Sequence, residues 1–152
     1  MHWVDAHSSV LDLEKQKLLK NAIKIYESDP HIKKHHEPFS WIKKFISVYS
    51  ESTIIVKGTA DVEALQDLCL LTGHEYKPPK FIIDIARWNK KSKKLCGSAQ
   101  LEKTFNCIKG DLDHETSEIL KHLPLGDAHN PVMDATMTLV VAMYSAHYSR
   151  RR

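Results

Sequence analysis

The chain lacks any long hydrophobic run, and no apolar stretch approaches the roughly 20 residues that a membrane-spanning helix needs. It also begins without a secretory signal sequence and contains neither an internal repeat nor a low-complexity linker. These absences argue against a membrane protein, a secreted protein and a repeat array. We therefore expect a single domain over residues 1–152, located in the cytoplasm or the nucleus.

Cysteine is also scarce. Cys69, Cys96 and Cys107 are an odd number of cysteines, and their spacing is not that of a metal site. We predict that all three are free, buried thiols in a reducing compartment. The excess of charge is equally small, since the formal net charge is +3 with ten neutral histidines. It gives mild support for a polyanionic partner and no more.

The composition is that of an ordinary globular protein, with 42% hydrophobic and 27% charged residues. Two short apolar segments, 53–56 and 81–85, predict buried strands that lie next to each other. Helices are predicted over the ranges 10–26, 38–49, 61–72, 99–108, 115–120 and 132–144. This alternation predicts an α/β domain in which a central sheet is flanked by helices.

The last helix has two ionisable groups at its start. Asn130 is a good N-cap and Pro131 suits the first turn. His129 precedes the cap, and Asp134 lies in or just after the first turn of a helix that is apolar on nearly every side. Burying charge is costly unless the charge is paired or binds a metal. The two side chains therefore either close a loop by hydrogen bonding or take part in chemistry.

The spacing His-x-x-x-x-Asp-Ala from His129 to Ala135 resembles the last motif of the DEDDh 3′–5′ exonucleases. The stretch HNPVMDATMT is also similar to the corresponding part of the coronavirus proofreading exonucleases, and FIIDIARW resembles a strand segment of the DEDDh family. Residues 53–148 match best, and residues 1–37 form a variable N-terminal part. The resemblance implies a three-layer, RNase H-like domain with a central mixed sheet.

The same resemblance implies a site for two Mg²⁺ or Mn²⁺ ions, which would activate water for hydrolysis of RNA or DNA. His129 would be the general base and Asp134 a metal ligand. Asp61, at the start of the helix after the first strand, would be a further ligand, although it is equally well placed for simple capping. Asp12 and Glu14 spell the Asp-x-Glu of the first motif.

The secondary structure around Asp12 and Glu14 decides between two functions. In a strand, residues i and i+2 share a face, so both carboxylates would point at the same ions. In a helix they would diverge and could not share a site. The strand favours a metal-dependent nuclease. The helix favours a catalytically degenerate RNase H-like domain that acts as an RNA-binding or protein-interaction scaffold.

A run of lysines gives the candidate nucleic-acid contacts. Lys90, Lys91, Lys93 and Lys94 lie within the range 89–94, which predicts either a solvated loop or a patch that contacts phosphates. Lys57, in the turn after the first strand, is a further candidate. The expected partner is single-stranded RNA or DNA.

Overall fold

A computed structural model describes residues 41–123 and 130–151, together with positions 13, 14, 16, 17, 20, 21 and 24. The chain forms two compact units. The first unit takes Met1–Ser52 and Ala60–Lys80, and the second takes Thr53–Thr59 and Phe81–Arg152. Residues 41–123 and 130–151 form six α-helices, a 3₁₀ helix and two strands, so the chain is of mixed α/β character.

The first unit contains helix α1, Ile42–Ser50, and helix α2, Ala60–Thr72. Ile42, Ile46 and Tyr49 are buried at the i, i+4, i+7 spacing of one helix face, which confirms the predicted amphipathic helix. Phe45 lies at the edge of this face and is 45% exposed. Helix α2 buries Cys69 and Leu71.

The described positions of the N-terminal part test whether the predicted Asp-x-Glu motif, Asp12 and Glu14, lies in a strand. The described positions between 13 and 24 are helical, and Glu14 is an exposed residue of that helix. The strand alternative for this stretch is therefore wrong at Leu13 and Glu14. Asp12 lies outside the described residues.

The second unit contains strands β1, Thr53–Val56, and β2, Phe81–Asp84. They pair in parallel from Thr53 opposite Phe81 to Val56 opposite Asp84, which confirms the predicted neighbours. No further strand occurs in the part of the chain that the structure describes. A central mixed sheet in a three-layer, RNase H-like domain therefore stays a prediction.

Strand β2 differs from the prediction in burial. Phe81, Ile82 and Ile83 are 69%, 48% and 48% exposed, so this segment is not a buried strand. The strand also ends one residue early, because the Asp84 side chain accepts a hydrogen bond from the backbone N–H of Ala86. That contact starts a 3₁₀ helix, Ile85–Trp88. The apolar composition predicted a strand here, but it did not predict whether other elements would cover the faces of that strand.

Four helices complete the second unit: α3, Asn89–Cys96; α4, Leu101–Ile108; α5, His114–Lys121; and α6, Pro131–Arg150. The core consists of the inner face of α6 packed against the 3₁₀ helix and α4, with β1 also in contact with α6. Met137, Val140 and Val141 are almost fully buried there. The buried terminal helix predicted from the sequence is confirmed, and it continues to Arg150.

Helix α3 contains the lysine run, so the prediction of a solvated loop is wrong. The Ser92 side chain is buried and donates a 2.7 Å hydrogen bond to the carbonyl of Ser98, and its Oγ lies 2.6 Å from the Thr104 hydroxyl. Gly97 ends the helix in the left-handed region at φ 70°. Polar contacts of the Ser92 side chain therefore stabilise a helix in a segment whose composition is typical of a loop.

Candidate functional site

The C-terminal part of α6, helix α3 and the end of the 3₁₀ helix surround a surface pocket. Trp88, Lys91, Lys94, Leu95 and Tyr148 line it, and we call it the basic–aromatic pocket. Trp88 ends the 3₁₀ helix, the next three residues belong to α3, and Tyr148 belongs to α6. All five residues lie in the second unit.

Aromatic rings form one wall of this pocket. Trp88 makes T-shaped contacts with Tyr144 and Tyr148 at ring-centroid distances of 5.8 and 6.1 Å, and the two tyrosines stack on each other at 6.0 Å. The Tyr144 hydroxyl donates a 3.0 Å hydrogen bond to Asp111. Burial, and then this bond, raise the pKa of Tyr144, so the hydroxyl remains protonated. The rings are thus packed and hydrogen-bonded into a rigid wall.

The indole N–H of Trp88 is a buried donor. Its Nε1 atom has no hydrogen-bond partner in the described part of the chain. Buried polar groups are nearly always paired, so such a donor is unusual. It lies in a residue that lines the pocket.

Positive charge also lines this pocket. The Lys91 ammonium lies 5.3 Å from the centroid of the Tyr148 ring, a cation–π distance. Lys94 also lines the pocket, and Lys90 and Lys93 are exposed on the same helix. Over residues 41–123 and 130–151, none of these four lysines forms an ion pair with a carboxylate. Helix α3 therefore presents unpaired positive charge beside aromatic rings.

Lys57 has a different environment from the lysines of α3. It is half-buried and donates a hydrogen bond to the carbonyl of Ala99, and burial lowers its pKa. Its ammonium group is engaged with the protein backbone. A contact between Lys57 and nucleic acid stays a prediction.

A second group of polar side chains lies where α5 begins beside α6. Ligand atoms of Asp113, Glu115 and His147 all lie within 4.8 Å of one another, so this cluster could hold a metal ion. His147 Nε2 is 3.5 Å from Asp113 Oδ2 and 3.9 Å from Glu115 Oε2. No other group of three or more potential ligands this close occurs among the described residues.

Asp113 also has a structural role. Its side chain caps α5 by accepting hydrogen bonds from the N–H and the hydroxyl of Thr116, at 3.0 and 2.7 Å. These bonds, and then the charge of His147, hold the pKa of Asp113 below its ordinary value. The sequence contains the pair Asp113 and Glu115, but only the tertiary structure brings His147 to them.

The predicted catalytic residues are described in part. Asp134 is half-buried in the first turn of α6, and the Asn130 side chain caps that helix by accepting from the N–H groups of Val132 and Met133. The prediction that Asn130 caps the terminal helix is confirmed. Asp61 is exposed in the first turn of α2, in the first unit. His129 lies outside the described residues.

Asp84 has a structural role at the ends of the two strands. Its Oδ1 accepts hydrogen bonds from the N–H of Gly58 at 2.8 Å and of Ala86 at 2.9 Å. It thereby joins the segments that follow the two parallel strands. Its carboxylate is committed to the backbone.

Comparisons with protein-family models, with curated proteins and with solved structures each found no match to this chain. None of the helices in the described part of the chain has the length and apolar character needed to cross a membrane.

Proposed function

We propose that the chain binds single-stranded RNA or DNA on the surface of helix α3. The observation that carries the proposal is the set of four lysines on this helix, which lack carboxylate partners among the described residues. Cations of this kind release counterions from a phosphate backbone when they bind it, and that release drives association. The four lysines belong to one folded helix, so a single element presents their positive charges.

The pocket beside the lysines favours nucleic acid over other polyanions. Lys91 and Lys94 line the same pocket as Trp88 and Tyr148. Basic side chains interleaved with aromatic rings are typical of single-strand binding proteins. A helix whose lysines served only solubility would need no such arrangement.

A pair of double variants tests the proposal. Lys90 and Lys93 are exposed and do not line the pocket, so both can be replaced by Glu with little effect on folding. Loss of two phosphate contacts should weaken binding of a single-stranded oligonucleotide and reduce the slope of log K against log salt by about 1.4.

The matched control replaces Lys43 and Lys44 of α1, which are exposed in the first unit, by Glu. It makes the same change in net charge and should leave the slope almost unchanged. Equal slopes in both double variants and the parent protein would contradict binding on α3.

The second candidate is metal-dependent hydrolysis of the bound strand, as in the DEDDh 3′–5′ exonucleases. The parallel pair of β1 and β2, the capped helix α6 and Asp134 in its first turn all favour it. In this proposal Asp134 would bind Mg²⁺ or Mn²⁺, with His129 as the base. It ranks second because Glu14 lies on a helix and not on the strand that the first motif requires.

Cleavage of a labelled single-stranded RNA or DNA in Mn²⁺, with chelator as the blank, tests this candidate. Asp134→Asn removes the charge that a metal needs and should reduce the rate by orders of magnitude. Glu102→Gln, on the exposed surface of α4, is the matched control and should keep the rate of the parent protein. If Mn²⁺ produces no cleavage, hydrolysis is refuted and the binding proposal stands alone.

A further inference from the structure

The basic–aromatic pocket is suited to a flat ring as well as to phosphate. Its volume is about 170 Å³, below the roughly 300–1,000 Å³ typical of sites that enclose a whole small molecule. It therefore takes one ring-sized group of a larger ligand. Leu95, which is 44% exposed, adds an apolar surface to the pocket lining.

We propose that this pocket holds one unpaired nucleobase of the bound strand, while Lys91 and Lys94 contact the phosphates on either side of it. The inference rests on the proposed function and adds the substrate class, a strand whose bases are free. Tyr148 and Leu95 provide the surfaces against which a base stacks or packs. Stacking on an aromatic ring accepts any base, because every base has a π-face.

The cation–π contact in the pocket supports this assignment. The Lys91 ammonium lies 5.3 Å from the centre of the Tyr148 ring, so the positive charge and the aromatic surface are within the length of one nucleotide. A base that stacks on this ring would take the place of the ammonium above it, and the ammonium would then contact a phosphate of the same strand. Phosphate alone would use only the lysines.

The indole of Trp88 is a buried part of the pocket lining. Trp88 is 9% exposed, and its N–H has no acceptor in the part of the chain that the structure describes. The Nε1 atom itself is buried, so Trp88 contributes other parts of its ring to the pocket lining.

The pocket distinguishes a single strand from a duplex. In a duplex each base is stacked between its neighbours and its faces are covered, so it cannot enter a pocket on a protein surface without unstacking. The lysines alone would bind a duplex as well, because its phosphates remain exposed. A preference for strands with free bases therefore distinguishes binding that uses the pocket from binding by the lysines of α3 alone.

The experiment measures equilibrium binding in chelator, so that no strand is cut. The probes have equal length: a single strand, the same strand with abasic sites throughout, the duplex, and a nucleoside monophosphate as competitor. We expect the intact strand to bind about 5–150-fold more tightly than the abasic strand, as a base–aromatic stack provides. Tyr148→Leu should remove this preference, while Tyr148→Phe should retain it.

The control variant is Phe45→Leu, which removes an exposed aromatic ring from the first unit and should keep the preference for bases. Equal affinity of the unaltered protein for intact and abasic strands would overturn the base pocket and leave the binding proposal in place, and this arm requires no variant. Tight binding of the duplex, or competition by the monophosphate at the affinity of the strand, would also overturn it. No binding to any strand would overturn the proposed function itself.

Discussion

Cys96 of α3 and Cys107 of α4 are joined by a disulfide bond, with their Cα atoms 5.7 Å apart. The prediction that all three cysteines are free is therefore wrong for these two, and it is confirmed only for the buried Cys69. The argument for a reducing compartment, which relied on free thiols, no longer holds. The bond fixes the end of α3 to α4, so it also holds one wall of the basic–aromatic pocket.

Reduction of this disulfide should destabilise the protein. Closing a loop of this length lowers the entropy of the unfolded chain and adds about 3 kcal/mol to the free energy of unfolding. Urea unfolding with and without dithiothreitol should show a difference of this order, and replacing both cysteines by Ser should abolish it. Cys69→Ala retains the disulfide and should keep the sensitivity to reductant.

Counting thiols provides an independent check of the pairing. The unfolded protein should react at one cysteine before reduction and at three afterwards. The native protein should react slowly, because burial raises the pKa of the Cys69 thiol and removes it from solvent. Three reactive thiols in unreduced, unfolded protein would contradict the disulfide.

Asp84 should make stability depend on pH in acid. Hydrogen bonds from Gly58 and Ala86 hold its pKa below the ordinary value of 3.8. The unfolded chain then binds a proton more readily than the folded one, so the stabilisation is complete above that ordinary value and is lost as pH falls through the lower, folded pKa.

Two substitutions separate the charge of Asp84 from its hydrogen bonds. Asp84→Asn keeps an acceptor oxygen and should flatten this part of the stability–pH curve. Asp84→Ala leaves two N–H groups without an acceptor and should cost about 1–2 kcal/mol at neutral pH. Thermal unfolding between pH 2 and 7 measures both effects. An unchanged curve for Asp84→Asn would assign the acid sensitivity to other carboxylates.

The cluster of Asp113, Glu115 and His147 predicts a response to metal. Imidazole and carboxylate donors together suit Mn²⁺ better than Mg²⁺, which prefers oxygen ligands alone. We expect millimolar Mn²⁺ to raise the thermal midpoint, as a ligand that binds only the folded state must. His147→Ala should remove the response, and His122→Ala, at an exposed position beyond α5, should keep it. Without a response in the unaltered protein, the three side chains serve only as a helix cap and an ion pair.

Local patterns in the sequence were sufficient for several elements. Thr53–Val56 forms a strand because its residues are β-branched and apolar, and Asn130 caps α6 because its side chain reaches the first free N–H groups. Two other signals act over one or two helical turns: Pro131 with the apolar run after it, and the amphipathic spacing of Ile42 and Ile46. A short stretch of sequence is enough to predict elements that depend on such local signals.

The tertiary structure decided what depends on distant neighbours. The lysine run became a helix because Ser92 meets Thr104 and Cys96 meets Cys107. Phe81 to Ile83 is exposed because burial depends on a covering partner, which composition does not report. The pocket likewise combines Trp88 and Lys91 with Tyr148, far apart in the chain. The sequence determined which segments can form helices and strands, whereas folding decided which side chains meet, because those contacts depend on the packing of whole elements.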